Sequence, residues 1–190
     1  MNRLLAPLLF CLLLPACMTL PGSDAGTTSR YMLMGPGGDC TPGDRPLALN
    51  VASVSAGLDT SRIARRDERS GEFSYLKNVR WVDEVAPMME QRLAADLECQ
   101  GFTVLTSHHG KLGYERLVCE IRALNLIEDG GGDQAEVGLS CVYFRPGAKS
   151  DVAIHSRRST GLRSWSADDA VAAISDAYRL VFTELIEALP

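Results

Sequence analysis

Residues able to do chemistry are few, and their spacing fits no familiar catalytic or metal-binding pattern. The histidines are His108, His109 and His155. Neighbouring side chains in a strand or loop point apart, so His108 and His109 form a poor chelate, and exposed loop histidines are the expectation. Gly138-Leu139-Ser140-Cys141-Val142 starts like a nucleophile elbow, but it lacks the final glycine and lies within an alternating strand pattern, not at a strand-to-helix turn. Asp129-Gly130-Gly131-Gly132-Asp133 lacks the alternating oxygen ligands and closing glutamate of a calcium loop. Gly35-Pro36-Gly37-Gly38 has no Lys-Ser/Thr pair and no helix after it, which predicts an ordinary loop and no phosphate cradle. The expectation is no catalytic residue, no metal and no cofactor. A periplasmic hydrolase using Ser140 or His109 is the enzymatic alternative.

Cysteine carries the more specific signals. Met1 to Ala16 has one cation, Arg3, then an apolar run from Leu4 to Leu14, then small residues. Eleven residues span about 16 Å as a helix, whereas a bilayer core needs roughly 20 residues. The segment therefore predicts a cleaved export signal, not a transmembrane helix. Leu14-Pro15-Ala16-Cys17 resembles a bacterial lipobox, although Pro15 departs from the usual small or hydroxyl residue. This predicts a diacylglyceryl group on Cys17. An ordinary signal cut after Ala16 is the plainer reading. One acyl chain holds a protein marginally, while two or three hold it stably. Met18, not Asp, follows the cysteine, which favours delivery to the outer membrane, facing the periplasm.

Export leaves Cys40, Cys99, Cys119 and Cys141 where disulfides persist. Cys119 and Cys141 fall on two predicted strands joined by a turn at Glu128 to Asp133, near directly opposed positions and on the same apolar face. That predicts a Cys119–Cys141 bond and leaves Cys40 to pair with Cys99; four buried, reduced thiols are the alternative.

The chain has 190 residues, 46% hydrophobic and 23% charged, with a net charge of -5. One globular domain follows, and there is no sequence-wide basic field for nucleic acid or an anionic membrane surface. Loss of Arg3 with the signal takes the mature charge to -6. Met18 to Ser29 is small, polar and punctuated by Gly and Pro, so residues 17–29 read as a lipidated tether with an r.m.s. reach of roughly 20 Å. Residues 30–190 form the domain.

Within it, strands are predicted at Arg30 to Met34 and at Leu47 to Val54, the second apolar or small on both faces and hence central. A hairpin around Ser70-Gly71 joins Ser61–Glu68 to Glu72–Leu76. Val85, Met89, Leu93 and Leu97 form the stripe of a helix within Val82 to Gln100, with Pro87 in its first turn. Phe102 to Thr106, Leu117 to Ile127, Ala135 to Phe144 and an edge strand at Asp151 to Ser159 follow. Ser166, with Asp168 and Asp169, caps a last helix. The expected fold is an α+β two-layer sandwich: a mixed, largely antiparallel sheet with two long helices on one face.

The whole pattern resembles the ABC-type transport auxiliary lipoproteins, which include the lipoprotein partner of paraquat-inducible and related mammalian-cell-entry (MCE) systems. The matching pieces are Cys17, Tyr31-Met32-Leu33, Leu58-Asp59, Arg62-Ile63 with Arg65, Tyr75, Arg80-Trp81, a helix with Pro87, Met88, Leu93 and Leu97, and the helix from Ala170 to Leu189. Arg80-Trp81 after the hairpin is the most specific. The resemblance implies an outer-membrane lipoprotein that docks on an MCE-domain protein and helps move phospholipid or other hydrophobic substrates, without hydrolysing ATP. Tyr75, Arg80 and Trp81 are the candidate partner contacts, with core packing the favoured reading of Trp81. Self-association is left open. An outer-membrane assembly lipoprotein, serving a barrel or lipopolysaccharide export, is the alternative function.

Overall fold

The computed structural model describes residues 27–36, 40, 43–106 and 113–190. Cys17, His108 and His109 lie outside them. Ten elements follow in order: β1 (Ser29–Tyr31), β2 (Arg45–Val54), β3 (Arg62–Asp67), β4 (Phe73–Trp81), α1 (Val85–Glu98), β5 (Phe102–Thr106), β6 (Glu115–Glu128), β7 (Gln134–Phe144), β8 (Val152–Gly161) and α2 (Ala167–Ala188).

The sheet is organised around β6. β7 and then β8 add antiparallel on one side. On the other side β2 pairs in parallel with the first half of β6, and β3 pairs in parallel with its second half. β5 lies outside β2; β4 lies outside β3, with β1 beyond it. The fold class is α+β with a mixed sheet, its two longest ladders antiparallel and its contacts to β2 parallel. β2 lies between two neighbours and β8 is an edge, as their apolar and arginine-bearing patterns respectively predict.

A register shift between Ile121 and Ala123 lets β6 serve two neighbours. It turns the strand so that Leu124 and Leu126, rather than odd-numbered residues, continue the apolar face begun by Leu117, Cys119 and Ile121. All five are buried. Both helices cover that face and touch each other, because the Tyr178 hydroxyl of α2 donates to Asp96 of α1 at 2.7 Å. Val85, Met89, Leu93 and Leu97 of α1, and Ala170, Ile174, Ala177, Val181 and Leu185 of α2, all lie in one core cluster. Pro87 is the third residue of α1, where the missing N–H is one that no helical partner would have claimed. The Ser166 hydroxyl accepts from the Asp169 N–H at 3.2 Å and caps α2.

The first strand is shorter than expected. Its ladder ends at Tyr31, although Leu33 is buried while Met32 and Met34 are exposed. That alternation comes from Leu33 packing into the core, not from strand pairing. No helix among the described residues is long and apolar enough to cross a membrane.

Candidate functional site

The β3–β4 hairpin carries the three expected contact residues, and it splits them between two faces. Between Arg62↔Arg80 and Ala64↔Tyr75, β3 advances two residues while β4 uses five. Asn78, at φ 54°, takes up the excess as a left-handed step, a conformation that asparagine tolerates better than most residues. The bulge keeps Arg62, Tyr75 and Arg80 on the side of the sheet away from the helices. There the Arg62 guanidinium stands 4.1 Å from the Tyr75 ring centroid, a cation–π contact of about 0.5–1 kcal/mol at an exposed site. The Tyr75 hydroxyl donates to the Gly57 carbonyl at 3.0 Å, and Arg80 Nη1 is 3.5 Å from the Ser61 hydroxyl. Phe73, at 42% exposure, adds an aromatic edge at the far end of the strand.

Trp81 points the other way. It is 1% exposed and belongs to the core cluster, which matches the core-packing reading and corrects the candidate role as a partner contact. Its backbone N–H donates to Ser61 at 2.7 Å, while the next residue, Val82, donates to Tyr31. The hairpin, the first strand and the start of α1 are therefore held at one junction, and Trp81 positions Arg80 without reaching the surface.

Cys119 and Cys141 sit in directly opposed positions of β6 and β7, both buried, and are bonded. Cys40 bonds Cys99, the residue that caps the end of α1. The tie between the helices is polar. Asp96, 1% exposed, accepts from Tyr178 and from Arg92 Nε at 2.9 Å, and Arg92 Nη2 bonds its other oxygen. Burial, with the Asp96 charge beside it, holds the Tyr178 hydroxyl well above its ordinary range. At the opposite end of the sheet Arg45 donates to Glu115 and to the Tyr143 hydroxyl, each at 2.8 Å. Burial opposes ionisation of Glu115, but the bonds from Arg45 and Tyr143 outweigh it and leave its carboxyl below the usual range.

The Ser140 hydroxyl lies 2.9 Å from His155 Nδ1, in register across β7 and β8. Glu120 is in register with Ser140 on its other side, so the acid flanks the serine and does not stand behind the imidazole. Asp133, at the β6–β7 turn, accepts from the Trp165 indole N–H at 2.7 Å, a structural role for one end of the Asp-Gly-Gly-Gly-Asp stretch. The described residues hold no group of three or more His, Cys, Asp or Glu side chains able to bind a metal.

Neither a family model nor a curated protein sequence matches the chain. Among solved structures, an uncharacterized protein superposes with a TM-score of 0.68 at 13% identity, over 85% of this chain and 97% of that one. A Xanthomonas campestris protein assigned to family DUF330 superposes with a TM-score of 0.64 at 17% identity, over 83% of this chain and 90% of that one. At these identities the likeness is one of fold, and it extends over nearly the whole of the described domain.

Proposed function

We propose that the chain is a lipoprotein anchored through Cys17 in the outer membrane, facing the periplasm, and a non-catalytic accessory subunit of an ABC/MCE-type transport system for phospholipid or other hydrophobic substrates. The observation that carries this reading is the Arg80-Trp81 step. Trp81 is seated in the core at the junction of hairpin, first strand and helix, and this presents Arg80 beside the stacked Arg62–Tyr75 pair on the open face. The same two residues are the most specific part of the sequence resemblance. Two disulfides suit an exported domain, and the DUF330 likeness in fold is consistent with the assignment.

Affinity purification of the lipidated chain from membranes, followed by mass spectrometry, tests the proposal. Recovery of an MCE-domain protein, reduced when Arg80→Glu reverses the charge of the open hairpin face, is the expected result. Recovery of a β-barrel or lipopolysaccharide-export component in its place would assign the chain to envelope assembly.

A further inference from the structure

The sheet face away from the helices holds a second feature, which starts at the Arg66–Phe73 end of the hairpin and runs away from Tyr75 and Arg80. Three strands each contribute one guanidinium to a shallow groove: Arg66 from β3, Arg122 from the bulge of β6, and Arg157 from β8. It consists of two hollows of about 280 and 290 Å3, both bordered by Arg122 and Arg157. The Ser140–His155 pair borders the second.

One carboxylate, Glu136, lies among these cations. It is nearly buried and takes both donors of Arg157, at 2.5 and 2.7 Å, while Arg66 Nη2 stands 3.7 Å away. Gly138 is in register with Arg157, and the arginine stem passes over it. The remaining acid partners, Glu68 for Arg66 at 2.9 Å and Glu120 for Arg122 at 2.5 Å, do not line the groove. The three guanidiniums are balanced overall by Glu136, Glu68 and Glu120, but only Glu136 lines the groove, so the surface it presents is mainly guanidinium. Arg66 Nε is buried with no acceptor. Planar guanidinium forks match the tetrahedral oxygens of phosphate better than any other common side chain does.

We infer that this groove binds a phosphate group, carried by a phospholipid headgroup or by free phosphate. Arg122 and Arg66 supply the N–H donors that Glu120 and Glu68 leave free, and the Glu136–Arg157 pair forms a preset floor.

The test is calorimetric titration of the full chain, in neutral detergent, with dihexanoyl phosphatidic acid, inorganic phosphate and phosphate-free dihexanoylglycerol. Saturable binding of phosphatidic acid at least tenfold tighter than phosphate assigns a headgroup; equal or tighter binding of inorganic phosphate assigns the free anion. In either case Arg122→Gln, which leaves the Glu136–Arg157 pair intact, lowers affinity about tenfold, as expected for one charge-assisted hydrogen bond. Sulfate displaces the bound anion and chloride does not, a readout that needs no variant. Binding of neither phosphate probe, equal binding of dihexanoylglycerol, or an unchanged Arg122→Gln overturns the inference. Partner capture is a separate readout: a chain that recovers an MCE-domain protein but ignores phosphate overturns the groove alone, whereas the reverse result overturns the transport reading alone.

Discussion

Removing the two disulfides singly gives a ranked and quantitative outcome. Cys40–Cys99 closes a span of 59 residues and Cys119–Cys141 one of 22, and the two spans do not overlap in sequence. In the chain-entropy treatment the longer loop contributes about 4 kcal/mol and the shorter about 3 kcal/mol. Because the loops are independent, the sum of about 7 kcal/mol is comparable with the whole folding stability of many domains. With a urea slope of about 2 kcal/mol/M, Cys40→Ala/Cys99→Ala should lower the midpoint by roughly 2 M and Cys119→Ala/Cys141→Ala by roughly 1.5 M. Alanine is the right replacement at 119 and 141, since both sites are buried and serine would bury a hydroxyl there. Circular dichroism and tryptophan fluorescence, followed together through urea unfolding, provide the assay. Cys40 is exposed, so a mild reductant should open its bond first, leaving the buried one intact. Midpoints that stay within about 0.3 M of the parent in both variants would refute the premise that the core depends on these bonds.

Trp81→Ala should cost about 3–5 kcal/mol in urea unfolding, the range for a large aromatic removed from a core. Trp81→Phe should cost less, because it also removes a buried indole N–H that has no acceptor, and it should leave partner capture intact. Acid should destabilise the domain through three carboxyls held below their usual range: Asp169 by the Ser164 hydroxyl, Asp67 by the Ser70 N–H, and Glu115 by Arg45 against the opposing effect of burial. Each ionises more readily when folded, so its contribution is complete above the ordinary carboxyl range, near about pH 4, and is lost as pH falls through the lower folded value. A urea midpoint that is flat from neutral pH down to about 5 and declines below about 4 is expected. At the alkaline end the raised Tyr178 predicts a second decline above about pH 10, since the unfolded chain ionises first. Cys17→Ser should release the chain from washed membranes and remove the acyl mass from its N-terminal peptide, as read by mass spectrometry.

Local pattern carried much of this architecture. The β6–β7 hairpin was legible because apolar alternation, a Gly-rich turn and two cysteines on the inner face agree, and the observed register sets Cys119 opposite Cys141. Both helices were legible from stripes spaced by three or four residues, and the start of α2 from Ser166. The parallel contacts of β6 with β2 and β3 were not, because a parallel partner is chosen by distant packing and leaves no local period. Asn78 hid the true length of β4: its left-handed step interrupts the alternation, so Leu76 looked like the end of a strand that runs on to Trp81. The arginine-lined groove was equally invisible. Arg66, Arg122 and Arg157 are far apart in sequence and look like separate solvated charges until β3, β6 and β8 bring them to one face. Of the contact residues, Arg80 and Tyr75 share a face only because of the bulge between them, and Trp81 differs because alternation turns neighbours to opposite sides of a strand.

The claim that the open hairpin face docks a transport partner is tested most directly by a photo-activatable cross-linker at position 80, with an exposed site on α2, Leu180, as the control. In intact envelopes the account predicts an adduct from position 80 that contains an MCE-domain protein, and none from position 180. An adduct from position 180 with position 80 silent, or an outer-membrane barrel protein captured from position 80, would contradict it.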